Sequence, residues 1–271
     1  MSVPIRVGTL LGKMTTRLRY PAIAVLALLL GAVSGLAREI HLPDEVLLTG
    51  TVLIAERFVE IVGREKEEVP LEFPVWPGDR GLRPSTWFAT LVEAHPGDVI
   101  TLSPGAYTAQ IWIFTDGVTI RTDPEAEELA WIRGTVEVDA DGVLLERIGV
   151  TDSGDQRDSG HGFEVHRDLV GRVTFRSCRA EGNRWTGIHI VGSTGSIQEL
   201  RVEDCVLVDN GIDGMDASST LSLIVIGCTI TGNGWDQANG VGVRIGHSVG
   251  QIELSDNTIE SNRSADVYYA E

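Results

Sequence analysis

The sequence predicts an all-β solenoid, a chain wound into a coil of short parallel strands. Three observations carry that prediction. The first is a repeat: Val173-Thr-Phe175-Arg-Ser-Cys178-Arg-Ala180-Glu-Gly-Asn183 laid over Leu200-Arg-Val202-Glu-Asp-Cys205-Val-Leu207-Val-Asp-Asn210 agrees at seven of eleven positions in kind or identity. Two more copies follow, Leu223, Val225, Cys228, Ile230, Asn233 and then Ile252, Leu254, Asn257, Ile259, Asn262, at offsets of 27, 23 and 29 residues. The second is a short β-leaning segment after each unit: Gly162-Phe-Glu-Val-His166, Gly187-Ile-His-Ile-Val191, Gly214-Met-Asp-Ala-Ser218 and Gly242-Val-Arg-Ile-Gly246. Nothing between them has helical periodicity, so the pattern reads as two strands per repeat. The third is composition: 31 glycines and 42% hydrophobic residues describe a turn-rich chain with enough apolar mass to fold.

The elements follow in chain order. Residues 1–37 have the layout of a secretory leader, with Arg17 and Arg19 ahead of the apolar run Pro21 to Val33 and small residues through Gly35-Leu36-Ala37. A membrane span is the rival, but thirteen clean apolar residues fall short of the roughly 20 a bilayer requires. Met14 competes with Met1 as the start, because it gives a compact basic beginning. Residues 38–84 form an N-terminal arm and connector: Val46 to Val62 is apolar, Arg64 to Glu68 charged, and Pro70 to Pro84 rich in turns. An extra strand pair, a first coil and a packing arm all fit it. The β-domain is expected over 85–271.

At Ser85 a helix is expected, with Ser85 as N-cap, Trp87, Phe88, Leu91 and Val92 as one apolar face, and Pro96-Gly97 as the stop. The segment Thr86-Trp-Phe-Ala-Thr-Leu-Val-Glu-Ala-His-Pro-Gly-Asp-Val-Ile-Thr-Leu-Ser-Pro-Gly-Ala-Tyr107 and the repeats after it resemble the right-handed parallel β-helix proteins of the pectate-lyase-like superfamily. That resemblance implies a single-stranded right-handed parallel β-helix with an N-terminal capping helix. At about 26 residues per turn, Val99 onward allows six or seven coils. A leucine-rich repeat fits Ile197 to Leu207, but it needs a helical or 3₁₀ return that the Gly-, Asn- and Asp-rich remainder does not offer.

Stacked coils place equivalent residues about 4.8 Å apart. Asn183, Asn210, Asn233 and Asn262 are therefore expected as an amide ladder. Cys178, Cys205 and Cys228 form a second column completed by Asn257, buried and reduced although the leader implies an oxidising compartment. The last coil, at Asp266 to Ala270, carries no capping helix, so Tyr268 and Tyr269 or self-association are expected to shield it.

Charge narrows the function. The chain carries 22 Lys and Arg against 39 Asp and Glu; loss of the leader removes four cations and no acid, moving the net charge from −17 to −21. Nucleic acid is excluded as a partner, and no stable membrane span remains after cleavage. The expected location is secreted or periplasmic, or surface-anchored if the leader is retained.

The inside of the coil is full, so function is sought outside. The outward position of the second strand carries Glu164, His189, Asp216 and Arg244 in successive repeats, and these are the catalytic candidates. His166, Arg184, Trp185, Asp213 and Trp235 are the substrate-binding candidates. A His or carboxylate base beside an Arg suits proton abstraction from an acidic sugar. The resemblance implies polysaccharide as the substrate class and a lyase or epimerase as the activity. A non-catalytic binding or structural β-helix is the alternative, since outward positions on a solvated sheet are charged anyway. With Lys13 and Lys66 the only lysines, both ahead of the coil, lysine-base lyases of the superfamily do not fit. The Gly160-His161-Gly162 triplet is similar to polygalacturonases, but their adjacent Asp pair is missing. No cofactor is specified; Ca²⁺ is compatible with the acidic loop Asp152, Asp155, Asp158, without a loop pattern that selects it.

Overall fold

A computed structural model of the chain describes residues 26–28, 37–42, 51–55, 89–154, 160–166, 171–191 and 197–270. The strands lie in three parallel sheets of ten, eight and seven strands, here A, B and C. Each coil lays one strand in B, one in C and one in A, then rises to the next. Val99–Leu102, Gly105–Tyr107 and Gln110–Ile113 make the first complete coil; Gln251–Ser255, Thr258–Glu260 and Ala265–Tyr269 make the seventh. Ahead of these, Glu39–Leu42 pairs with Val99–Leu102 in sheet B, and Thr51–Ala55 pairs with Gln110–Ile113 in sheet A. The described part of the N-terminal arm thus adds one rung to two sheets.

The coil has three strands per turn where the sequence reading allots two. The unit Val173 to Asn183 is not one strand; it breaks into Arg172–Arg176 in sheet B and Arg179–Glu181 in sheet C. The break is a single residue in the left-handed region, recurring in register at Arg147 (φ 55°), Ser177 (50°), Asp204 (52°), Gly227 (67°) and Asp256 (56°). A second such column ends the last five sheet C strands: Asp152 (54°), Gly182 (64°), Asp209 (53°), Gly232 (70°) and Ser261 (59°). A non-glycine residue there costs roughly 1–2 kcal/mol, least for Asp and Asn. Four of these bends are Asp.

At seven of these ten bends the next residue's N–H is accepted by a side chain of the following coil. After the first bend, Cys178 N–H donates to Cys205 Sγ (3.3 Å), Cys205 N–H to Cys228 Sγ (3.4 Å) and Cys228 N–H to Asn257 Oδ1 (2.8 Å). After the second, the N–H groups of Asn183, Asn210 and Asn233 donate to Oδ1 of Asn210, Asn233 and Asn262 at 3.2, 3.0 and 3.1 Å. The Nδ2 groups reach the same oxygens at 2.9–3.0 Å. Both expected ladders are present. The cysteines are free and buried, and burial beside its neighbours pushes the Cys205 thiol up.

The interior is a set of columns. Ile40, Ile100, Ile120, Leu145, Phe175, Val202, Val225 and Leu254 run through sheet B; Val52, Ile111, Val136, Phe163, Ile188, Met215, Val243 and Val267 run through sheet A. They belong to one continuous core that thins toward the last coil, where Ile252 is 41% exposed.

The expected capping helix begins on residues 85–88, outside the described residues. Its described remainder, Ala89–Glu93, is a strand of sheet A paired with Thr51–Ala55. The extended state there is set by the open rung of sheet A, which offers a full row of backbone partners that outweighs local helical periodicity.

Two outcomes test this account. Asn210→Ala is expected to lower stability by about 2–4 kcal/mol, because it orphans buried groups in two coils; a urea midpoint within error of the parent would contradict the ladder's role. Thiol titration should find no reactive cysteine in the native protein and three after denaturation without reductant.

Candidate functional site

Register builds the outer face of sheet A as it builds the core. Trp112, Glu137, Glu164, His189, Asp216, Arg244 and Tyr268 are direct neighbours on successive rungs. The four catalytic candidates do share one column, and Glu164 and Asp216 lie two rungs apart with His189 between. Trp112, Glu137 and Tyr268 extend the column and were missed. The signal for Glu137 was present: Val136-Glu-Val138 has the same in-out-in alternation as Phe163-Glu-Val165, one coil earlier.

The outer face of sheet B shows what a merely solvated face looks like in this chain. There Arg172 pairs with Glu199 (2.6 Å), Arg176 with Glu203 (3.0 Å) and Arg201 with Glu203 (2.6 Å), all partly or well exposed. Sheet A differs in kind. Glu137, Glu164 and His166 are buried, each at most 8% exposed, and the column from Glu137 to Asp216 contains no Arg or Lys.

His161, in the turn entering Phe163–Val165, stacks flat on His189 of the next coil, with centroids 3.9 Å apart and planes at 18°. The Trp185 edge meets His161 at 5.1 Å. Thr186 N–H donates to His161 Nδ1 (3.3 Å), which leaves the remaining proton of a neutral ring on Nε2. Burial, with His189 alongside, drives the His161 pKa down to about 2. His189 is also pushed down, by burial and by His166, against the pull of Asp216 and Asp213. Its Nδ1 is buried and makes no hydrogen bond among the described residues. His189 is therefore a half-buried, stacked, neutral imidazole.

His166 behaves oppositely. Burial disfavours its charge, but the hydrogen bond from Nε2 to Glu137 Oε2 (3.0 Å) and the charges of Glu137, Glu164 and Asp139 outweigh that, so its pKa is raised. Neighbouring imidazoles on one face are thus shifted in opposite directions.

The remaining candidates divide. Arg244, expected to neutralise a substrate carboxylate, is gripped by Asp213 through Nε–Oδ2 (2.8 Å) and Nη2–Oδ1 (3.0 Å), with Tyr268 under its plane. Asp213, 2% exposed, also accepts Val241 N–H (2.8 Å), the same service His161 performs for Thr186. Asp216 accepts from Ser218 N–H (2.9 Å). Arg184, next to Trp185 in the sequence, is exposed and donates to the Gly154 carbonyl (3.3 Å). Trp235, by contrast, turns its indole N–H to the Asp209 carbonyl (2.8 Å), at the end of the sheet C strand, and joins no ring contact with the histidines. Asp152 lies exposed near Arg133 (3.9 Å), while Asp155 and Asp158 of the acidic loop fall outside the described residues. Among the described residues no three His, Cys, Asp or Glu converge as a metal site.

A sealed parallel solenoid with its chemistry gathered on one outer sheet defines the class. The family model described as right handed beta helix region matches residues 133–271, just over half the chain, and the chain belongs to that family. Neither a search of the curated proteins nor one of the solved structures finds a match.

The opposed imidazole shifts give a pH signature. The lowered His161 and His189 stabilise the fold fully above their unfolded value of about 6.5 and progressively less as pH falls; the raised His166 stabilises below that value and is lost as pH rises through its folded pKa. Between pH 6.5 and 5, stability should fall by up to about 1.4 kcal/mol per pH unit for each neutral imidazole. His161→Gln, which keeps an acceptor for Thr186, should flatten that limb in denaturant titrations; an unchanged slope would refute the assignment.

Proposed function

We propose that this is an exported, carbohydrate-active β-helix protein whose outer face of sheet A binds an acidic polysaccharide and abstracts a proton from it, as a lyase or epimerase. The observation that carries the reading is the cluster in which neutral His189 stands one rung from Glu164 and stacks on His161, whose ring in turn meets Trp185. A neutral imidazole with an uncommitted ring nitrogen can act as a general base. Trp185 offers an apolar plate for a sugar ring, and Arg184, free of any carboxylate partner among the described residues, is the cation placed to take a substrate carboxylate. Arg244 is assigned instead to positioning, holding Asp213 and hence the turn before Asp216.

In this reading His189 removes the proton α to the uronate carboxylate. The electron pair left behind either expels the glycosidic oxygen on the adjacent carbon, which then takes up a proton, or receives a proton on the opposite face. The first outcome is elimination, the second epimerisation. Glu164 is the acid–base partner one rung away, and the charge developing on the carboxylate is met by Arg184.

The exported protein should be screened against uronate-bearing glycans for binding and for unsaturated product. His189→Ala is expected to reduce turnover at least about 100-fold while binding persists, and Arg184→Ala to weaken binding chiefly. Because His189 is stacked rather than free, a modest drop in melting temperature accompanies the change, and His189→Gln controls for it. Binding with no turnover by the parent would assign the non-catalytic alternative; full turnover by His189→Ala would remove the site from this column.

A further inference from the structure

The residue that follows the expected leader occupies an unusual position. Arg38 N–H donates to Asp98 Oδ1 at 2.9 Å, and its guanidinium Nε lies 3.2 and 3.0 Å from the two oxygens of the same carboxylate. Asp98 is 1% exposed and also accepts His95 N–H (2.9 Å). His95 Nδ1 accepts from Arg38 Nη2 at 2.6 Å, so that ring is unprotonated at Nδ1. The Arg38 carbonyl in turn accepts Val99 N–H (2.7 Å) and starts the pairing of Glu39–Leu42 with Val99–Leu102. Ala37, one residue earlier, is exposed. One buried carboxylate therefore receives both the main-chain nitrogen and the side chain of Arg38.

We propose that the bond between Ala37 and Arg38 is the maturation site, and that the α-ammonium it releases docks on Asp98 as an anchor for the first coil. Hydrolysis consumes one water: Ala37 departs as a carboxylate, and the Arg38 nitrogen gains protons to become an ammonium. The hydrogen bond already in place then becomes a charge-assisted one at a buried carboxylate. Among the described residues, the other charged or titratable groups facing the new terminus are the Arg38 guanidinium, His95 and Glu93. Cleavage removes Leu26–Leu28, the outermost strand of sheet A, and leaves the sheet B rung at Glu39–Leu42 in place. The inference rests on the export reading and is independent of the glycan reading.

The test compares two exported proteins, the parent and a variant with one glycine inserted after Ala37, which leaves a neutral amide at Arg38. Intact mass should place the parent's first residue at Arg38. At pH 7 the parent should melt about 2–4 °C above the insertion variant. An amine that gains a carboxylate partner has its pKa raised above the ordinary value of about 8, so the advantage is present below that value and should vanish as pH climbs well past it. It should also vanish when Asp98→Asn is introduced into both chains. A terminus elsewhere overturns the cleavage site and the anchor together. Equal melting at pH 7, or a gap that survives at high pH, overturns the anchor while leaving export and the glycan reading untouched.

Discussion

Rung-to-rung pairing of the backbone along the solenoid axis is the constraint on which everything else in this protein depends. Within the strands it is met by parallel main-chain ladders. At the corners it fails, because a left-handed residue such as Ser177 or Gly182 turns the chain and strands the next N–H. The sequence answers with side chains borrowed from the coil above: sulfur and amide oxygen after the first bend, amide oxygen after the second. The repeat spells this out. Its fixed residues are the acceptors that keep buried corners satisfied, and the positions between them vary.

The same register that satisfies the backbone makes the candidate site. Side chains on one rung are held a strand spacing from those on the next, so three imidazoles and four carboxylates of sheet A and its entry turns are gathered by register. Once gathered, they sort by environment. His161 and His189 stack and exclude water from each other, which depresses both; His166 sits against Glu137 and is raised. Sheet B, with its alternating exposed Arg–Glu pairs, has the same geometry and none of this differentiation. Burial, rather than the presence of charge, separates the two faces.

Much of the fold was legible in the sequence because a solenoid writes its contacts at constant spacing. The columns through Val173 and Phe175, the asparagine and cysteine ladders, and the outward series Glu164, His189, Asp216, Arg244 all follow from aligning the repeats. What was not legible has physical causes. The third strand was hidden because a bend at Ser177 or Asp204 occupies one residue and leaves the in-out alternation nearly intact. Ala89–Glu93 carries a helical pattern overridden by an open sheet edge. The His161–His189 stack joins residues from two coils whose spacing matches no motif, and Arg244's pairing with Asp213 depends on a turn length that alignment does not fix. Glu137, by contrast, was legible in the alternation Val136-Glu-Val138, one coil before the aligned series.

The asparagine ladder also bears on how precisely the site is held. Each ladder amide packs against the glycine that opens the neighbouring sheet A strand. A Cβ on Gly187 would fall 2.9 Å from Asn210 Nδ2 and 2.6 Å from the Gly214 carbonyl, and one on Gly214 would meet Asn233 Nδ2 at 2.8 Å. Larger residues there would push the strand off the ladder, so glycine and asparagine are chosen together. The residue just before each of these glycines is the one that enters the site: His161 before Gly162, Thr186 before Gly187, Asp213 before Gly214. His161 and Asp213 both use a side-chain acceptor to hold the N–H of their counterpart one coil on. The groups that orient His189 and Arg244 thus sit immediately beside the most tightly packed corner of the coil, where the backbone has least freedom to move. The parallel coil can therefore preorganise side chains on the outer face of this sheet, because the rigidity comes from the buried ladder beneath.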